Sequence, residues 1–210
     1  MNYSELVEAA KSYSDRHDVE LTANINTFIL MVEAKINRLL KTREQSTRAY
    51  TPTVSTLEYY SLPVDFAGMR SIQLNSSLPG NAHLSKPMDY VTPEVMSIKR
   101  NSTETSVKVF YTIVSNQIQI APIQAAGQTI EMSYYQKVPA LTELAPTNWL
   151  SDNHPDIYLS GIIGEIEIFV KNYEVGKSWY DRMSLAIAEL DNTDKQETWV
   201  SAPMAMRIEP

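Results

Sequence analysis

The residue types able to do chemistry are thinly spread. His17, His83 and His154 lie far apart, none has a second histidine at metal-ligand spacing, and HExxH does not occur. A metal site needs clustered donors, so the sequence predicts no metal and a surface position for each histidine. There is no cysteine, which removes disulfide frameworks, thiolate zinc sites, iron–sulfur clusters and thiol nucleophiles together. The glycines (Gly68, Gly80, Gly127, Gly161, Gly164, Gly176) never form a phosphate-cradling pattern; Gly161 and Gly164 read instead as close-packing positions on a helix. Ser160-Gly161 lacks the preceding glycine of a nucleophile elbow. No cofactor is predicted.

Glu165 and Glu167 are close enough in sequence to be weighed as an acid–base pair. Two positions apart on a helix, they point about 200° away from each other and cannot share a substrate. A glycosidase built from Asp and Glu residues distant in sequence stays open as an alternative. The aromatics, among them Tyr59-Tyr60, Tyr134-Tyr135, Trp149, Tyr158, Tyr173 and Trp179-Tyr180, have few basic neighbours. They therefore read as core or interface rather than as a base-stacking platform.

Hydropathy periodicity supplies the elements that would position these groups. Leu6, Val7, Ala10 and Tyr13 recur at helical spacing, with Ser4 as the capping residue. Ile25, Phe28, Ile29, Val32, Ile36, Leu39 and Leu40 form the strongest stripe, predicting an amphipathic helix over 23–41 with Thr22 as N-cap. Beyond Thr42 the chain turns to short segments rich in Thr, Val, Tyr and Ser, punctuated by Pro52, Pro63, Pro79, Pro87 and Pro93. Strands are predicted over 56–62 and 69–75, with a loop over 76–81 and a short helix over 93–99 after Thr92-Pro93-Glu94. Strands over 107–114, 117–121 and 129–136 should make an antiparallel meander.

From Pro155 toward Asn172 the pattern is again helical, with Tyr158, Ile162, Ile166, Phe169 and Tyr173 on one stripe. Glu165-Ile166-Glu167-Ile168 taken alone also alternates like a strand; the length of the segment favours helix. Gly176 marks a bend, and Trp179, Met183, Ala186, Ile187 and Leu190 define a last helix ending near Asp191. The fold class expected is α+β: an antiparallel bundle of about four helices with an inserted antiparallel β-rich subdomain and an extended C-terminal tail. Its parts are residues 1–48 (N-terminal helices), 49–146 (β-rich insertion), 147–191 (C-terminal helices) and 192–210 (tail).

At 210 residues, 43% of them apolar and 20% charged, a chain can bury roughly 70% of its unfolded surface without metals or disulfides. Apolar runs such as Phe28 to Val32 fall far short of the roughly 18 residues that span a bilayer, so a soluble chain is expected. Met1-Asn2-Tyr3-Ser4-Glu5 has no basic segment before an apolar run, which predicts no signal peptide. Net charge is −7, and residues 151–210 hold most of it, with five basic and eleven acidic groups. Such a segment repels a phosphate backbone, which argues against ordinary nucleic-acid binding but suits a surface that DNA slides past. The tail sets apolar and aromatic groups on an irregular segment: Trp199, Val200, Met204, Met206 and Ile208, with Arg207 among them. It should dock on a partner, or alternatively fold back on its own helices.

Local phrases recur in a characteristic order: Tyr3 to Leu6, Ala34-Lys35-Ile36-Asn37-Arg38, Leu62-Pro63-Val64-Asp65-Phe66, and Gln117-Ile118-Gln119-Ile120-Ala121-Pro122. Met132-Ser133-Tyr134-Tyr135, Val138-Pro139-Ala140-Leu141 and Thr147-Asn148-Trp149-Leu150 follow, shortly before Pro155-Asp156. In this order, over residues 3–191, the chain resembles the head-to-tail adaptor (head-completion, or connector) proteins of short-tailed bacteriophages. The resemblance implies a non-enzymatic virion protein, made in the host cytoplasm and placed at the head–tail interface. It implies a homo-oligomeric ring, typically of twelve copies, that contacts the portal protein and tail or nozzle proteins. Genomic DNA would pass its lumen without specific binding, and no membrane is involved. Trp199, Val200, Met204, Met206, Arg207 and Ile208 would then be the portal-binding residues. Two other classes stay open, an adaptor-borne peptidoglycan hydrolase and a stand-alone oligomeric binding module.

Overall fold

The computed structural model describes residues 1–15, 18–76, 85–100 and 108–200, with side chains described as far as residue 196. Among these are six α-helices: α1 (Tyr3–Ser14), α2 (Val19–Leu39), α3 (Pro93–Arg100), α4 (Trp149–Asn153), α5 (Pro155–Phe169) and α6 (Tyr173–Val200). Seven strands accompany them: β1 (Ser46–Pro52), β2 (Tyr59–Ser61), β3 (Phe66–Ser76), β4 (Ser85–Tyr90), β5 (Val109–Val114), β6 (Gln117–Ala121) and β7 (Gln128–Gln136). The chain divides into two compact units, residues 1–44 with 138–210, and residues 45–137. The expected four-helix antiparallel bundle with an antiparallel insertion is not what forms, and the part of the expected tail that is described, residues 192–200, is helical. The protein is α+β, with six helices and a curled, mixed seven-stranded sheet.

In the helical unit the deviation from a bundle comes from α5. Ile157, Tyr158, Ile162, Ile163 and Ile166 are all buried, along with Ser160, Gly161 and Gly164. A helix apolar on every side must be surrounded rather than take one corner of a bundle. Accordingly α1, α2 and α6 each pack on α5. Leu6, Val7 and Ala10 come from α1, Ile25, Phe28, Ile29, Val32 and Ile36 from α2, and Met183 and Ile187 from α6. Of the two glycines expected to allow close packing, Gly161 does: a Cβ there would lie 2.7 Å from Val32 Cγ1 and 2.9 Å from Met183 Sδ, whereas one on Gly164 would meet its nearest neighbours at 3.4 Å, an ordinary contact.

The caps differ from expectation. Asn2, not Ser4, caps α1: its side chain accepts the Glu5 N–H at 2.9 Å, and the Glu5 carboxylate accepts the Asn2 N–H at 3.0 Å. α2 begins at Val19 after Asp18, and the Thr22 hydroxyl donates back to the Asp18 carbonyl. The break between α5 and α6 falls at residues 170–172, with Lys171 at φ 64°, rather than at Gly176. Gly176 sits inside the first turn of α6, where a Cβ would meet Ile168 Cγ1 at 2.8 Å and the Gly164 carbonyl at 3.2 Å. Its role is helix crossing, not bending.

α6 continues past the expected end at Asp191 to Val200. The apolar stripe stops at Leu190, but no Gly or Pro follows until Pro203. Lys195 pairs with Asp191 at 2.5 Å one turn away, and the Thr193 hydroxyl donates to the Glu189 carbonyl at 2.9 Å. From 191 to 196 the helix continues without a buried side chain.

In the sheet unit the strand order is β1-β7-β3-β4-β5-β6-β2. Only part of the expected meander forms. β5 and β6 pair antiparallel around Ser115-Asn116, with Ser115 at φ 56°. β7 does not follow beside β6, whose other edge is taken by β2; it lies between β1 and β3. β4 runs parallel to β5 and is joined to it through the α3 segment, the kind of crossover that a parallel pair requires. Ile72, Leu74, Met88, Val109, Ile118, Ile120, Ile130, Met132 and Tyr134 fill the inner face.

The Leu62-to-Phe66 phrase is a turn locked by hydrogen bonds. Tyr134 donates to the Asp65 carboxylate at 3.0 Å, and the Asp65 carbonyl accepts the Lys137 N–H at 2.7 Å. Burial first, and then the Asp65 carboxylate, push the Tyr134 phenol up to about 12. The predicted loop over 76–81 and the start of the strand predicted over 107–114 fall largely outside the described residues.

Candidate functional site

Polar side chains on the inner flank of α2 grip the chain where it returns after residue 137. Asn37 accepts the Val138 N–H at 2.8 Å, and Glu33, one turn earlier, accepts the Leu141 N–H at 2.6 Å. Asn148, the N-cap of α4, donates to the Pro139 carbonyl at 2.7 Å and to the Tyr158 hydroxyl at 2.9 Å. Tyr158 in turn donates to Glu33 at 3.4 Å. An irregular segment cannot satisfy its own buried amides, so these side chains do it. Burial raises the Glu33 carboxyl above its ordinary range, opposed in part by the Leu141 and Tyr158 bonds; burial likewise raises the Tyr158 phenol. Three of the phrases that carry the resemblance, those containing Asn37, Val138 to Leu141 and Asn148, meet in this network.

Beside it lies a groove of ≈ 420 Å³ lined by α2 residues Asn26, Ile29, Leu30 and Glu33, by residues 140–144, and by Tyr3. Leu144 stands at its rim, 99% exposed, on a turn closed by the Ala145 N–H donating to the Thr142 hydroxyl at 3.0 Å.

The carboxylates of α5 and α6 divide into two sets. Glu165 pairs with Lys35 at 3.2 Å, and that ammonium sits 3.4 Å from the centroid of the Tyr180 ring. Glu167 accepts from the Asn172 side chain at 2.9 Å. The two acids weighed as a pair thus serve separate structural partners. Burial first, and then Glu165, raise the Tyr180 phenol. Asp191 and Asp194 are held by Lys195 and Arg43. Glu174, Asp181 and Glu189 are instead exposed, at spacings of seven and eight residues that put them near one flank of α6.

Of the residues expected to bind a partner, Trp199 and Val200 lie on the last turn of α6 rather than on an extended tail. Met204, Met206, Arg207 and Ile208 lie outside the described residues, as do His17 and His83. His154 stands at the junction of α4 and α5. Among the described residues no group of three or more His, Asp or Glu is placed to hold a metal ion, and no helix is long and apolar enough to cross a membrane. Sequence reasoning passed over Glu33, Asn37 and the Leu30–Leu144 groove. The available signal was a carboxylate and an amide four residues apart on the buried side of α2, where the stripe would otherwise be apolar.

Over residues 1–207 the chain matches the family model described as SU10 adaptor protein, and it belongs to that family. It is a phage adaptor and a structural virion component, a role that implies contact with other virion components such as portal and tail. No curated protein matches it.

Proposed function

We propose that the protein is a non-enzymatic head-to-tail adaptor of a short-tailed phage. Identical copies, twelve in number, form a ring between the portal and the tail or nozzle proteins, and the ring lines the DNA exit channel. Family membership supports the adaptor role; the course of α6 is the observation that supports the arrangement. At about 1.5 Å per residue, its 28 residues make a rod that continues to Val200, and among the side chains described, which reach residue 196, Leu190 is the last packed on the core. The rod sets Trp199 and Val200 on its last turn, ahead of the Met204, Met206, Arg207 and Ile208 segment, as a portal anchor.

Glu174, Asp181 and Glu189, exposed on the same helix, give the lumen a surface that repels phosphate and lets DNA pass without sticking. Deleting residues 196–210 tests the anchor. The shortened chain should keep its thermal transition and lose binding to portal rings; unchanged binding would place the anchor elsewhere.

A further inference from the structure

The groove between α2 and residues 140–144 has a definite chemistry. Its walls are Ile29, Leu30, Leu141 and Leu144, its base holds the Glu33 carboxylate, 6% exposed, and its rim carries the exposed Glu143. Both of Glu33's hydrogen bonds end on Oε1, which leaves Oε2 as an acceptor. None of the lining residues is basic, and among the described residues Glu33 pairs with no cation.

The adjoining outer face of α2 is equally distinctive. Between residues 22 and 34 its exposed positions, Thr22, Ala23, Asn26, Thr27, Leu30, Met31 and Ala34, carry no charge, and the exposed Glu20 and Arg38 stand at its two ends. The solvent face of a helix ordinarily carries charge, and an exposed apolar patch with a polar rim marks a docking surface.

We propose that this groove is a socket for one lysine or arginine carried on an apolar segment of another virion protein. The aliphatic stem of such a residue packs between Leu30 and Leu144 while its charged head reaches Glu33 and Glu143, the divided environment that long basic side chains favour. The uncharged stretch of this face, residues 22–34, accepts the apolar residues flanking it. Two carboxylates repel a nucleic-acid backbone, so the occupant is a protein. The inference rests on the adaptor reading only for the partner being another virion protein.

The test titrates the full chain with n-butylguanidinium, a stand-in for the arginine side chain, and follows the amide signals of Leu141 and Leu144 by NMR. Pentanol and pentanoate serve as the neutral and anionic counterparts. Saturable shifts are expected with the guanidinium, at least tenfold weaker with pentanol and absent with pentanoate. Glu143→Gln should weaken binding two- to fivefold. Glu33→Gln, which keeps an acceptor for the Leu141 N–H, should abolish it; should that variant misfold, Glu143→Lys, at an exposed position, should do the same.

Equal response to pentanol and guanidinium, or no saturable shift, overturns the proposal. So does a change in the Leu141 and Leu144 signals on dilution, or on removal of residues 201–210, since another copy or the chain's own C-terminal segment would then fill the groove. Collar formation on portal rings despite a failed titration would sink the socket while leaving the adaptor reading standing.

Discussion

Asp194, on the part of α6 that has left the core, accepts the backbone N–H of Arg43 at 3.0 Å, and its other carboxylate oxygen lies 3.5 Å from Arg43 Nε. This pair ties the end of the rod to residues following α2. The Arg43 side chain is more than half exposed, so the ion pair itself contributes at most about 1 kcal/mol, with the backbone bond adding a similar amount.

Asp194→Ala should therefore leave the global urea midpoint nearly unchanged. Amide hydrogen exchange beyond Asp191 should rise several-fold, because the last turns lose their tether. Exchange unaltered there would show that the rod needs no tether.

Close helix crossing sets the second expectation. Gly161→Ala and Gly176→Ala each force a methyl within 2.9 Å of a packed side chain and should cost about 1–3 kcal/mol. Gly164→Ala meets its neighbours at 3.4 Å and should cost less than either. Chemical denaturation gives the order, and a Gly164 variant worse than the other two would contradict the packing described.

These crossings also show how far sequence patterns reach. Gly161 was legible as a close-packing position because small residues inside an apolar helix have few other uses; the same reasoning overreached at Gly164, where a Cβ would find ordinary contacts. The stripe of α2 was legible because apolar positions recur within three or four residues of one another, and all of them but Leu39 are buried. β1 and β4 were not, for opposite reasons to a clear strand signal: β1 is an edge strand carrying Arg48 and ending at Pro52, and β4 contains Pro87 and no β-branched residue. Without β4 the parallel pairing with β5 has no trace in local pattern, and without β1 the place of β7 beside it could not be read. The apolar stripe of α6 stops at Leu190 because periodicity reports burial, and residues 191–196 continue the helix with no buried side chain. The bonds that Glu33 and Asn37 make in the polar network join residues more than a hundred positions apart, beyond the reach of any window.

A pH experiment probes the sheet unit. Glu131 accepts from Asn75 and Gln73 at 2.7 Å each and lies 3.4 Å from Arg48. Those two amide bonds first, aided by Arg48, hold its carboxyl below the ordinary 4.5. A depressed carboxyl stabilises the fold fully above its unfolded value and loses that contribution as pH falls through the folded one. Glu131→Gln should thus lower the urea midpoint at pH 7, with the gap to the parent chain closing as pH falls below about 4.5. A gap independent of pH would remove the charge from the account.

Tyr158→Phe tests the clamp on residues 138–141. The hydroxyl is fully buried between Asn148 and Glu33, and its removal should cost about 1–3 kcal/mol. Asn148 keeps the Pro139 carbonyl, so the segment should stay in place, visible as unchanged protection of the Leu141 amide. A large rise in Leu141 exchange would show that Tyr158, rather than Glu33, holds the segment.

The central claim is that this chain forms a ring on a portal. The most direct measurement mixes the purified full-length chain with portal rings of its own phage and images the product by electron microscopy. A twelvefold collar seated on the portal is the predicted result. Portal rings that remain bare at saturating protein would contradict it.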